Sequence, residues 1–384
     1  MEFQARRIKF TVRKSARKKH FAQLQDANKR MQKLLESSDQ ISAARQRGRL
    51  STAPSLLNRK LNEFWRHAKR LHEALSTAWQ CACAGHVAIL GLEHRTSEDV
   101  EFNVLFHLDN NQHRLDWHGT KIKMVTDTNS LSIAVPQQLA GGRVRFDVSN
   151  DEGEVAMTEN MAIIHDLCSA LSSKCIDCIS FLAAEDHRFM LYAGGHATPL
   201  SNPTTITLQD VLSNAETFTR RRRYELALTL ASSYLQLGAT PWLNKGLLKE
   251  DIVFLQNPTE PLFDHPYIRQ RMSPPSDTPA SEVIPSLGIR LLELCFGKPL
   301  EATSFRSQLP AGDDTLAPIF DYTAAIQWSR LVSEEAGPEF AEAIEWCLHA
   351  KTLNNNSWRK ELWQHVIVPL DACHKQVWQK FIPI

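Results

Sequence analysis

The sequence predicts an α+β fold, with a β-rich middle and a helical C-terminal half. Three observations carry this. Tyr224, Ala227, Leu228, Ala231, Tyr234 and Leu235 recur at three- and four-residue spacing and line one face of a long helix. Leu226, Leu230 and Leu237 widen that face, which implies burial on more than one side. Upstream, Val100–Phe106, Ile122–Val125, Leu131–Val135 and Val144–Val148 alternate as strands do, with turns at Asp109-Asn110-Asn111 and Gly141-Gly142.

Taken in order, the chain begins with a basic arm over residues 1–20. Arg6, Arg7, Lys9, Arg13, Lys14, Arg17, Lys18 and Lys19 face Glu2 alone. A solvated arm is the plainest reading. The functional readings are nuclear import, nucleic-acid contact or attachment to an anionic membrane surface. From Phe21, the residues Leu24, Ala27, Met31, Leu34 and Leu35 give a modest helical stripe. A stronger one follows Pro54: Leu57, Leu61, Phe64, Trp65, Ala68, Leu71, Leu75, Ala78 and Trp79 predict a helix to about Cys83. Two such helices suggest an N-terminal helical hairpin over residues 21–92, packed on the protein's own body or used as a docking arm.

Residues 93–205 form the expected β-rich unit. Glu159–Leu171 reads as a helix, and Cys178–Ala183 with Arg188–Tyr192 as a hairpin around Glu185-Asp186. Gly194–Thr205 is the candidate hinge, followed by a short helix at Leu208–Leu212. Residues 206–384 are the helical unit. Gly238 ends the long helix, because a residue without a β-carbon closes the last turn at little cost. Ile252–Leu255 is short, apolar and partly β-branched, so a buried strand is expected. Asp264-His265-Pro266-Tyr267 falls in a proline-marked loop, and residues 273–281 in a flexible, proline-rich one carrying phosphorylatable Ser and Thr. Further helices are expected at Ala324–Val332, Phe340–Leu348 and Trp358–Trp378, the last kinked at Pro369.

Composition narrows the function classes. The 384 residues carry a net charge of +1, which argues against whole-protein attraction to nucleic acid. No apolar run is long enough for a membrane span, and the N-terminus lacks the apolar core of a secretory signal. Eight scattered cysteines suit free thiols in a reducing compartment, so the cytoplasm or nucleus is expected. Cys81-x-Cys83-x-x-His86 and Cys175-x-x-Cys178 lack the second pair that a tetrahedral zinc site needs, so no metal is expected. There is no G-x-G-x-x-G loop, G-x-S-x-G elbow or H-E-x-x-H pair.

The stretch Trp242–Leu255 and the run Ser286-Leu287-Gly288-Ile289-Arg290-Leu291-Leu292-Glu293-Leu294-Cys295-Phe296-Gly297-Lys298-Pro299 resemble the catalytic-loop segment and the buried large-lobe helix of protein kinases. Phe64-Trp65-Arg66-His67-Ala68-Lys69-Arg70-Leu71 and Ser233–Leu243, with the Leu287 helix, also resemble a group of uncharacterised fungal proteins, over about residues 55–384. The kinase likeness covers about 160–350. It implies a two-lobed kinase-like fold: a degenerate small lobe at 93–205 and a helical large lobe at 206–384. Asn244-Lys245-Gly246 then stands where kinases write His-Arg-Asp, and Asp251 where they place a metal-binding Asn. Asp264 falls near the place of the metal-binding Asp of D-F-G. Leu248 occupies the position of a phosphate-facing Lys, and no V-A-I-K is present; Lys121 and Lys123 lie on an expected strand without a firm match.

Phosphoryl transfer depends on positioned charge. With Gly246 at the base position, the resemblance implies a pseudokinase: no enzyme activity, no catalytic residue and no cofactor. Asp251 and Asp264 remain the only candidate contacts for ATP and Mg²⁺. The expected role is protein–protein contact with a partner the sequence does not identify. A repurposed, nucleotide-dependent cleft and attachment through the basic arm are the alternatives.

Overall fold

The computed structural model describes residues 18–19, 21–33, 54–79, 87–95, 100–110, 114–126, 162–172, 180–184, 187–193, 204–214, 218–243, 246–256, 261–271, 283–350 and 358–379. The chain divides into two compact units, Met1–Ser55 and Leu56–Ile384. In the first, residues 18–19 and 21–33 are helical. The second is a mixed α+β body, as the alternating and helical patterns predict.

Its first helix, α1, spans Pro54–Ala78. Strands β1 (Val87–Gly91), β2 (Glu101–Asn110) and β3 (Arg114–Thr126) follow as an antiparallel meander. Next come β4 (Ala162–Ile163), α2 (Leu167–Ser172), β5 (Ser180–Ala184) and β6 (His187–Ala193). The strand pair β5–β6 closes back on β3 through β6. β7 (Thr204–Thr207), α3 (Leu208–Ser213) and α4 (Arg220–Leu237) lead to β8 (Ile252–Gln256) and β9 (Pro261–Arg271). All nine strands join one sheet in the order β4-β5-β6-β3-β2-β1-β9-β8-β7. The pairing is antiparallel throughout, except that the two-residue β4 joins β5 in parallel. The sheet therefore runs across residue 205: β9 pairs with β1, Gly91 opposite Tyr267 and Val87 opposite Arg271.

α1 lies on one face of this sheet. Phe64, Ala68, Leu71 and Leu75 are buried there with Leu90, Phe102, Phe106 and Phe189, and the Phe64 and Phe102 rings stand 4.9 Å apart. Arg70 Nη1 donates to His187 Nδ1 at 2.9 Å, tying the helix to β6. Of the two readings, packing on the protein's own body holds for α1. α4 is buried nearly all round, as its widened apolar face predicts; twelve of its residues are buried, from Tyr224 to Leu237. It packs on β9 and on the helices α5 (Val283–Phe296) and α11 (Val368–Gln379). Between these lie α6 (Ser304–Ser307), α7 (Ala317–Ser329), α8 (Val332–Ala336), α9 (Pro338–His349) and α10 (Trp358–Leu362). Gly288 lets α5 and α9 approach closely: a β-carbon there would stand 3.0 Å from Cys347 Cβ. The long C-terminal helix is interrupted by a π-helical stretch, Trp363–Ile367, just before Pro369. A proline has no N–H for the preceding turn, and the wider turn absorbs the mismatch.

Three local expectations are corrected. Gly238 ends α4, but with φ −58°; the left-handed residue is Ala239 at φ 64°. Gly238 is required for space instead, since a β-carbon would lie 2.7 Å from Tyr234 O and 2.9 Å from Trp358 Cη2. The helix expected over Glu159–Leu171 is only α2, because Ala162 and Ile163 pair with Ser180 and Phe181 in the sheet. Asp166 then accepts from Cys168 N at 3.1 Å and opens α2. The Asp264–Tyr267 loop is strand β9. Pro266 is tolerated because the β1 pairing ends at Tyr267 and the β8 register shifts beside it, between Phe254 and Gln256. The strands expected at Leu131–Val135 and Val144–Val148 and the loop at 273–281 lie outside the described residues; of the hinge expected over Gly194–Thr205 only Thr204 and Thr205 are described, as the start of β7.

His72 on α1 is 2% exposed, stands edge-on to Trp242 at 5.2 Å, and its Nε2 has no hydrogen-bond partner among the described residues. Burial lowers its pKa from 6.5 to about 4. The unfolded chain therefore takes up this proton at higher pH than the folded one. The associated stability is fully present above about pH 6.5 and drains away as pH falls toward 4. At about pH 4.5 the loss should reach roughly 2–3 kcal/mol, and His72→Leu should abolish that part of the slope. Urea unfolding of both proteins at neutral and acidic pH measures it; equal slopes would contradict a buried neutral imidazole.

Candidate functional site

Two places answer to the site residues named above. The first is the turn between α4 and β8. After α4 the chain makes a 3₁₀ turn at Pro241–Leu243. Trp242, 1% exposed, donates from Nε1 to Ala68 O at 2.8 Å and so locks this turn to α1. Asn244 and Lys245 lie outside the described residues. Gly246 adopts φ 80°, where a β-carbon is strained, and its N–H donates to Leu243 O at 3.1 Å. Leu247 is buried while Leu248 is 41% exposed.

Lys249 is 4% exposed, which is unusual for lysine. Its Nζ lies 3.0 Å from Glu293 Oε1 on α5 and also meets Glu301. Glu293, fully buried, accepts from Leu300 N at 2.8 Å and forms an ion pair with Arg290 at 2.6 Å. Burial pushes the Glu301 carboxyl up, but the lysine bond outweighs it and holds the group below its usual value. These are the Lys249 and Glu293 of the two kinase-like runs, brought together in the interior.

Asp251 opens β8. Its N–H donates to Leu248 O at 3.1 Å and its carbonyl accepts from Arg269 N at 2.8 Å. That sets Asp251 level with Arg269. Asp264 stands five residues further along β9, about 16 Å away at the rise of an extended strand. The two candidate carboxylates therefore do not converge.

The second place is a cleft of about 490 Å³ where the end of β1 and the strands β2, β3 and β9 face α4 and α11. Glu93, Glu101, Glu225 and Asp264 line it, with His94, His265 and His374, and Lys121 as its single lysine. Lys121 and Lys123 both pair with Glu101, the latter at 2.8 Å. Burial raises the Glu101 carboxyl, but these two lysines outweigh it and keep it ionised below its usual range. Glu93 takes a hydrogen bond from Asn103 Nδ2 and lies 3.6 Å from Arg95. His94 Nδ1 is 2.6 Å from Ser232 Oγ. Burial is the main cause that lowers the pKa of His94 and of His374, against the opposing pull of Asp371 and, for His374, Glu225. Both rings are thus neutral near pH 7. The lining is anionic, which disfavours a polyphosphate and favours a neutral or cationic ligand.

Sequence reasoning found Asp264 and Lys121 but missed Glu93, His94, Glu225 and His374. They come from three distant segments, and no local spacing joins them. Among the described residues no group of three His, Cys, Asp or Glu is placed to hold a metal ion, and no helix is long and apolar enough to cross a membrane. Cys81, Cys83, His86, Cys175 and Cys178 lie outside the described residues, as do Arg6, Arg7, Lys9, Arg13, Lys14 and Arg17, while Lys18 and Lys19 are exposed on a helix.

A site needing both Asp251 and Asp264 should not exist. Calorimetric titration with Mg²⁺ or Mn²⁺ should give no saturable binding that both Asp251→Ala and Asp264→Ala remove. A tight site lost in each variant would overturn the separation argued above.

Comparison with curated proteins and with solved structures gives no match for this chain. Residues 58–373, which begin within α1 and end within α11, match the family described as a domain of unknown function, DUF7580. That match spans most of the chain, the turn before β8 and all of the cleft lining but His374: the chain belongs to the DUF7580 family.

Proposed function

We propose that this chain is a catalytically silent, protein-kinase-like module that acts inside the cell through protein–protein contact. The observation that carries this reading is the fate of the loop before β8. Gly246 stands at the position of the catalytic base and is held in a left-handed turn that glycine favours. Three residues on, Lys249 is spent on a buried ion pair with Glu293. A loop committed to structure in this way has no group to take a substrate proton.

Other features support the same ancestry. Three strands, a helix and a strand pair precede the helical half, in the order of a kinase small lobe. α4 and α5 pack side by side, with Arg223 Nη1 donating to Cys295 O at 2.9 Å. The chain departs from the two-lobed expectation in one respect: β7, β8 and β9 continue the same sheet. The anionic cleft also weighs against ATP. Binding is the function that survives loss of reactive groups.

A second reading, chemistry repurposed in the cleft, is favoured by one observation: neutral His94 and His374 beside Glu225. Such a pairing suits proton transfer on an uncharged substrate.

The silent reading predicts no phosphate transfer to generic substrates or to the chain itself with Mg²⁺ or Mn²⁺. It predicts no thermal shift from ATP–Mg²⁺, because a ligand stabilises only what it binds. Gly246→Asp should not create activity, and should cost about 1–2 kcal/mol by placing a β-carbon at positive φ. Phosphotransfer that vanishes with Asp251→Ala or Asp264→Ala would refute the proposal.

A further inference from the structure

Within the first unit, the helix at residues 21–33 shows every side chain to solvent. Phe21 is 66% exposed, Leu24 66% and Met31 59%. At 3.6 residues per turn, Phe21, Leu24, Ala27 and Met31 fall within about one third of the circumference. Lys18, Lys19, Lys29, Arg30 and Lys33 fall on the opposite third. Arg30 is engaged by Asp26 at 2.8 Å, and Lys18, Lys19, Lys29 and Lys33 make up the rest of the cationic edge.

Charge sharpens the pattern. Residues 1–33 carry eleven Lys and Arg against Glu2 and Asp26, a net +9. The whole chain is +1, so residues 34–384 are net −8. Residues 1–33 thus hold a dense cationic excess, and that segment also carries an apolar stripe.

We propose that residues 21–33 are a surface-seeking amphipathic helix, which lies in the headgroup region of an anionic lipid bilayer, with the basic residues that precede it in the sequence adding electrostatic attraction. A lipid surface meets both faces at once: the stripe enters the acyl boundary while the lysines meet phosphate and carboxylate headgroups. A nucleic acid would satisfy only the cations and leave Phe21, Leu24 and Met31 in water. One short helix with three large apolar groups gives reversible attachment, so the acidic remainder of the chain can be released again by salt or loss of anionic lipid. This inference does not rest on the kinase-like reading.

Sedimentation of the intact chain with vesicles tests it. With about one third phosphatidylserine in phosphatidylcholine, the chain should pellet; with phosphatidylcholine alone, or at about 0.5 M salt, partitioning should fall at least tenfold. Phe21→Ser/Leu24→Ser/Met31→Ser and Lys18→Glu/Lys29→Glu/Lys33→Glu should each also lower it at least tenfold, with unchanged urea unfolding of the body. Equal binding to neutral vesicles, or full binding by the serine variant, overturns the proposal. So does absence of vesicle binding, whether accompanied by duplex DNA binding that the serine variant retains or by self-association that it loses.

Discussion

Lys249 is carried into the protein interior with its ammonium against the Glu293 carboxylate, and both groups are almost wholly shielded from water. An isolated charge in such a place costs several kcal/mol, so each group needs opposite charge beside it, and Glu301 and Arg290 complete the cluster. The pair therefore imposes a geometric constraint. The turn that follows α4 must sit against α5, and β8 must start where Asp251 is level with Arg269. From there the β8–β9 hairpin reaches β1 and extends the sheet. Trp242, locked to Ala68 on α1, fixes the same turn from the other side. Helix α1, the sheet and the helical half are thus joined through one short connection.

That connection is also where chemistry would be sought, and the two demands conflict. A catalytic loop presents charged groups to a cleft; here the charged group points into the core and the glycine before it has no side chain to present. The open, polar cleft lies elsewhere, at the end of β1, and its carboxylates and neutral histidines suit different ligands from a nucleotide. The family and the fold leave the activity to be argued from such sites.

Much of the architecture is legible from the sequence where one period dominates. α4 is visible because its apolar residues follow the helical repeat and are backed by a second apolar face; β8 is visible as a short branched run. Legibility fails where tertiary pairing overrides local preference. Ala162 and Ile163 have ordinary helical character but are claimed by Ser180 and Phe181. Pro266 reads as a loop residue, yet a register shift beside it lets β9 continue. Gly238 is recognised as a helix end for the wrong reason, because the nearness of Trp358 has no signature in neighbouring residues. The Lys249–Glu293 pair is separated by more than forty positions, and nothing in either segment announces the other. The cleft is harder still, since its groups converge only after the sheet, α4 and α11 have packed.

A double-mutant cycle on Lys249 and Glu293 addresses the central claim, that this loop serves structure. Unfolding free energies of Lys249→Met, Glu293→Leu and the double variant give the coupling. Each single change should cost about 2–3 kcal/mol, since Glu293 keeps Arg290 and Lys249 keeps Glu301, and the double should cost less than their sum by about 1 kcal/mol or more. Additive effects, or a Lys249→Met protein as stable as the parent, would contradict the account.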